Sequence, residues 1–230
     1  MATSTSPIAI IRPRKKSRAR GEVEKLELRA SILRAASEEF LEHSYEGFSL
    51  RRVAERIGYT PTTIYIYFKD KDQLLRETVR DGFAAFDVTI QNAALKHTDP
   101  RERLHALGQT YFEFGLQNAA LYRLMFMQRA DFLLLRLLGS GATEEMRAAA
   151  LLDPSGAPHR VVAQDLLVAA IKEGIETGQF LEGDAIAKAD ALWASVHGLT
   201  SLALSPLMSP DHARSLIDQL LENLIRGLEP

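Results

Sequence analysis

The stretch GYTPTTIYIYFKDKDQLL, residues 58–75, decides how the rest of the chain is read. Its centre, residues 62–68, is TTIYIYF, built only of β-branched and aromatic residues. Such residues are most at home in strands. A strand needs a partner for its backbone ladder, and the flanking segments carry helical spacing instead. Unpaired, its backbone groups would be left to solvent. Read as a helix, the segment begins well, with Thr60 at the N-cap and Pro61 at the first helical position. Ile64 and Phe68, four apart, point inward toward Val53 and Ile57, while Thr62, Thr63, Tyr65 and Tyr67 are left on the other faces. Packing of that kind outweighs a propensity deficit of about a few tenths of a kcal/mol per residue.

Upstream, Ser49 is placed to cap LRRVAERI, whose Leu50, Val53, Ala54 and Ile57 share one side. Gly58 ends that helix and supplies the turn, and the small Ala54 lets two short helices cross closely. Two short helices joined by a tight glycine-containing turn make a helix-turn-helix. Before it, Leu26, Ile32, Leu33, Ala36 and Phe40 mark the apolar stripe of a long first helix from residue 22, broken at residues 43–48. Residues 1–21 read as a disordered arm, in which six of the nine residues from 12 to 20 are basic.

Downstream the pattern stays helical. Asp70 caps a helix over about residues 71–95, and Asp99 with Pro100 opens another that runs to about Gln117. A shorter helix follows from Asn118, and helix is expected over residues 131–150, interrupted at residues 139–141. Residues 151–158, LLDPSGAP, read as the main internal loop. Three more helices are expected over residues 159–178, 184–205 and from Ser209 onward. The expected fold is therefore all-α. Residues 22–70 are expected to form a helix-turn-helix unit and residues 71–230 a helical body.

Composition narrows the function classes. The 230 residues are 46% hydrophobic and 25% charged, an ordinary globular balance. Apolar runs fall far short of a membrane span, and no secretory leader is expected after the basic N-terminus. Cysteine is absent, which removes disulfides and thiolate metal sites and fits the cytoplasm. Residues 1–80 hold 16 Lys/Arg against 11 Asp/Glu, and residues 81–230 hold 12 against 19. A basic front on an acidic body suits an anionic partner, though scattered surface charge reads the same way.

The second helix of a helix-turn-helix lies in the DNA major groove. Threonine hydroxyls and methyls can meet base edges there, tyrosine hydroxyls can donate to phosphates, and Lys71 can neutralise one. Residues 30–79, with ILRAASEEFLE, YEGFSLRRVAERIG and TPTTIYIYFKDKDQL, closely resemble the TetR family of transcriptional regulators. Trp193, His197 and Gly198 in LWASVHGL resemble the Trp-His-Gly signature of one class of TetR C-terminal domain. The resemblance implies phosphate contacts from Ser49 and Thr60. It places Thr62, Thr63 and Tyr65 at or near bases, with Tyr67 and Lys71 on the backbone. Ser44 departs from it, standing where members often carry glycine, and so does the basic arm, which either follows phosphates or is inert.

The resemblance also implies a homodimer and a small-molecule pocket. The candidate pocket residues are Phe86, Tyr111, Phe114, Tyr122, Met125, Phe126, Trp193 and His197, although aromatic and methionine residues at helical spacing also build plain core. Trp193 and His197 share a helical face and read either as packing partners or as ligand contacts. The expected interface uses Val162, Leu166, Ala169 and Ala170 of one helix and Ala189, Leu192, Val196, Leu199 and Leu202 of the next. The alternative is that these faces pack inside the subunit. Glu102 and His105 form an E-x-x-H half-motif, but no other histidine has a carboxylate three residues before it. No phosphate loop, dinucleotide fingerprint or nucleophile motif appears, so no cofactor is expected. The expected function is a transcriptional regulator, a repressor of a palindromic DNA operator, released by a small molecule. A ligand-independent helical DNA-binding protein and a helical enzyme remain the rivals.

Overall fold

The computed structural model describes residues 18–127 and 162–230, with side chains from Gly21. Most of the basic arm, the helix expected over 131–150, the loop at 151–158 and the first residues of the proposed interface helix lie outside the described residues, while residues 18–21, expected to belong to the disordered arm, are instead the first turn of a helix. Every regular element among the described residues is a helix. In chain order they are α1 (Arg18–Gly47), α2 (Leu50–Arg56), α3 (Pro61–Tyr67), α4 (Lys71–Ala94), α5 (Pro100–Gln117), α6 (Ala119–Phe126), α7 (Val162–Glu176), α8 (Ala185–Ala203) and α9 (Pro210–Arg226).

The helix starts follow the capping chemistry. Asp70, Asp99, Asp184 and Ser209 each accept a hydrogen bond from a backbone N–H in the first turn that follows. Pro61, Pro100 and Pro210 occupy first helical positions, where no backbone donor is lost. α1 carries a kink at Ser44, whose φ of 55° and ψ of −173° lie where glycine is favoured. This is the break expected near residues 43–48, reached by a serine. Gly58, with φ of 74°, makes the turn between α2 and α3.

TTIYIYF is helical. Ile64 and Phe68 are buried and join Val53 and Ala54 in the main core. α2 packs on α1 and α3 packs on α2. Arg29 of α1 binds Glu77 of α4 at 2.6 Å and also Asp81, and its guanidinium stands 5.8 Å over the Phe68 ring. The Tyr45 hydroxyl donates to Asp72 at 2.6 Å, tying the end of α1 to the first turn of α4. One apolar cluster runs from Ile32 through Phe68, Phe86 and Tyr122 to Leu221, so the front unit and the body share a core. A second cluster, around Leu104, Ile171, Phe180 and Ile225, closes the far end.

Two expectations are corrected here. Leu26 is 67% exposed, because the first turns of α1 project past the body, and the buried stripe begins at Ile32. Ala170, Ala189, Leu192, Val196 and Leu199 are buried within the subunit, so the expected interface face is mainly internal packing. Of the residues expected there, Ala169 and Leu202 remain exposed, with Val162 and Leu166 half-buried.

Candidate functional site

α3 turns two different faces outward and inward. Ile64 and Phe68 anchor it; Thr62, Tyr65 and Ile66 project, with Tyr65 56% and Ile66 76% exposed. Tyr59 and Thr60 are exposed just before it, and Thr63 and Tyr67 are half-buried at its edges. The Ser49 side chain makes no capping hydrogen bond, and the Thr60 hydroxyl lies 3.2 Å from that of Thr63. The structure thus brings Thr60, Thr62, Thr63 and Tyr65 onto one short surface. Lys71 behaves differently. Its ammonium stands 4.0 Å over the Tyr45 ring and 3.4 Å from the Tyr45 carbonyl, so a phosphate would compete with that ring for it.

Ile66 and Tyr59 were not singled out in the sequence. Helix geometry was the signal available for Ile66: two residues from Ile64 is about 200° around the axis. Its apolar character hid it.

The α3 surface rests on an ionic support. Glu39 of α1 is fully buried, and its carboxylate accepts from Arg52 of α2 at 2.6 Å, with Arg56 at 3.6 Å. Arg52 also donates to the Gly47 carbonyl, and Arg56 grips Glu42 through both of its terminal nitrogens. A buried carboxylate demands such partners, and here they fix α2, which carries α3. Glu39, Glu42 and His43 lie close enough to share a cation. Arg52 and Arg56 already neutralise the two carboxylates.

In the body, four polar side chains meet inside an aromatic shell. The Tyr122 hydroxyl donates to the Tyr111 hydroxyl at 3.0 Å, and the Trp193 indole N–H donates to that same oxygen at 3.3 Å. The Tyr111 and Tyr122 hydroxyls lie 3.0 and 2.7 Å from His197 Nδ1. Burial pushes the Tyr111 phenol up to about 12 and raises Tyr122 as well, and burial lowers His197. The cluster is therefore neutral at neutral pH.

Beside it, a cavity of about 30 Å³ opens among α4, α5, α7, α8 and α9. Of the pocket candidates, Tyr111 and Trp193 line this cavity, and Tyr122 and His197 reach it through their hydrogen bonds to Tyr111. Phe86, Met125 and Phe126 do not line it. Phe86 and Phe126 pack ring against ring with Tyr111, and Met125 is buried in the same core. Phe114 borders a separate polar groove with Gln109, Glu113 and Arg214. Glu102 and His105 do not converge: His105 lies 3.8 Å from Asp218, while Glu102 is exposed near His97.

Comparison with known proteins agrees with this geometry. Residues 32–78 match the model described as bacterial regulatory proteins, tetR family. Residues 104–228 match the model of the tetracyclin repressor-like C-terminal domain. The chain is 29% identical over 100 residues to the HTH-type transcriptional activator FasR of Mycolicibacterium smegmatis, covering 44% of this chain and 46% of that one. It is 33% identical over 69 residues to the HTH-type transcriptional repressor AcnR of Corynebacterium diphtheriae, 30% of this chain and 36% of the other. The chain thus spans less than half the length of these curated relatives. The fold is shared with the transcriptional regulator FadR from Bacillus subtilis, solved in complex with stearoyl-CoA. That likeness has a TM-score of 0.61 at 20% identity and covers 87% of this chain and 99% of that one.

Proposed function

Because the chain belongs to the TetR family of bacterial regulatory proteins, we propose that it is a DNA-binding transcriptional regulator, a repressor of a palindromic operator that a small molecule releases. One observation carries the reading: α3 is clamped by Ile64 and Phe68 while Thr62, Tyr65 and Ile66 stand free on its outer face. Thr62 and Tyr65 would meet base edges, and Ile66 a thymine methyl. Ser49, Thr60, Thr63, Tyr67 and Lys71 would hold the flanking backbone.

One such helix reads only a few base pairs, so two copies about 34–36 Å apart are needed to read a palindrome. The dimer would form on the outer face of α8, where Ile186, Ala187, Ala194 and Leu202 are exposed. Residues 1–21 would serve as the basic arm, residues 22–70 as the reading unit and residues 71–230 as the sensing and dimerising body. FadR, with its acyl-CoA, supports a ligand within this fold. The relatives named above are regulators, which supports a non-enzymatic role. Among the described residues no helix is long and apolar enough to cross a membrane, and we place the activity in the cytoplasm.

Genome-wide recovery of bound DNA tests the proposal. Enrichment of one palindromic site, reduced by Tyr65→Ala, is the expected result; enrichment unchanged by this substitution, or no enrichment, would refute it. Reporter expression from the neighbouring promoter gives the sign. A ligand-independent regulator is the second reading, favoured by the small volume of the cavity, about 30 Å³.

A further inference from the structure

The neutral cluster at the end of the apolar cavity restricts what the cavity can take. Among the described residues its walls are mainly aliphatic, with Ile90, Leu104, Leu107, Leu167, Leu192 and Leu221 the largest aliphatic side chains. The polar side chains in its lining are Tyr111 and Trp193, and the Trp193 indole N–H donates to the Tyr111 hydroxyl. No Lys, Arg, Asp or Glu is among the described lining residues. An ion entering such a space loses its hydration and gains no counter-charge. A neutral oxygen loses far less, and Tyr111 and Trp193 can replace its water.

Resting on the regulator reading above, we propose that the effector is an uncharged, mainly aliphatic molecule with a single oxygen function, its chain against the leucine walls and its oxygen hydrogen-bonded to Tyr111 and Trp193. The cavity at rest holds little more than one water. Entry therefore requires side chains such as Leu221 and Leu167 to swing aside, beside Trp193, which is 40% exposed.

The hydrogen bonds also supply a path outward. An oxygen that accepts from the Tyr111 hydroxyl draws it away from His197 Nδ1, the nitrogen that also lies 2.7 Å from the hydroxyl of Tyr122 on α6. α6 packs on both α1 and α4. At Gly82 of α4 an added Cβ would lie 2.8 Å from Leu121 Cδ1 and Met125 Sδ of α6, so the two helices meet without slack. A shift of α6 is thus passed to the helices that carry the reading unit.

Trp193 is the chain's single tryptophan, so its fluorescence reports the cavity directly. The full chain is titrated at neutral pH with 1-octanol, octanoate and octylamine, matched in chain length. The expected result is a saturable change with octanol, one per subunit, and binding of both ions weaker by about a hundredfold or more. Tyr111→Phe, which keeps the ring, should weaken octanol by about three- to tenfold. Octanoate binding as well as octanol, a signal that never saturates, or full octanol affinity in Tyr111→Phe overturns the proposal. Operator binding is measured on the same preparation. DNA binding without octanol selectivity removes the effector class alone, whereas octanol selectivity without DNA binding removes the regulator reading and leaves the cavity assignment.

Discussion

Neighbouring residues of α3 have opposite tasks, and substitution separates them. Ile64 is buried against Val53 and Ala54, and Tyr65, one position on, stands in solvent. Ile64→Ala should destabilise the fold by about 2–5 kcal/mol, as a large-to-small change in a packed core does. Tyr65→Ala removes no core contact, so its melting temperature should match wild type while operator affinity drops by about 1–3 kcal/mol. Thermal melts and fluorescence-anisotropy titrations on one preparation test both. A Tyr65→Ala variant with full affinity would remove α3 as the reading element. Ile66 marks a limit on reading residues one by one: its side chain is apolar, and its angle around the helix axis is what sets it on the outer face.

At the scale of elements, the join between α1 and α2 carries local strain. Ser44 holds a backbone conformation that costs a non-glycine residue about 1–3 kcal/mol. Glycine there costs less, offset by about 0.5–1 kcal/mol of lost chain freedom. Ser44→Gly should therefore stabilise the protein by about 1 kcal/mol, read as a higher urea midpoint at unchanged slope. A lower midpoint would mean that the serine side chain contributes something its backbone geometry does not show. The join tolerates the strain because it is over-determined. Arg52 bridges Glu39 and the Gly47 carbonyl, Arg56 grips Glu42, and Tyr45 reaches Asp72. Removing Arg52 would leave the buried Glu39 carboxylate with weaker partners, which is costly for a charge without solvent.

Across the whole molecule, assembly and pH response are both open to measurement. If the outer face of α8 is the dimer interface, Ala194→Arg places a charge at its centre. Sedimentation should then report a monomer whose helical content is unchanged and whose operator binding is lost. A dimer that survives Ala194→Arg moves the interface elsewhere. The pH response comes from His197, whose pKa burial lowers from the ordinary 6.5. The fold favours its neutral form. That contribution is complete above about 6.5 and is lost as pH falls from there toward the lower folded value. The melting temperature should decline between about pH 7 and pH 5, and His197→Asn, which cannot take up a proton, should flatten the decline. The depressed carboxylates Asp99, Glu42 and Glu222 act at lower pH, as their stabilisation is lost only when they protonate, below about pH 4.5.

What the sequence determined by itself is the set of local decisions. Asp70, Asp99, Asp184 and Ser209 start helices where they stand, Gly58 makes the turn, and Ile64 with Phe68 sets which side of α3 is anchored. These depend on residues within a few positions of one another, and backbone capping and helical spacing act at that range. The tertiary structure alone decided which faces meet. The apolar residues of α7 and α8 looked suited to a partner, yet α5 and α9 bury them first. The aromatic residues that looked like one pocket divide into a solid core and a small cavity edged by Tyr111 and Trp193. Any apolar face is equally driven to leave water. Which neighbour covers it depends on helices far apart in the chain, and no local pattern encodes that choice.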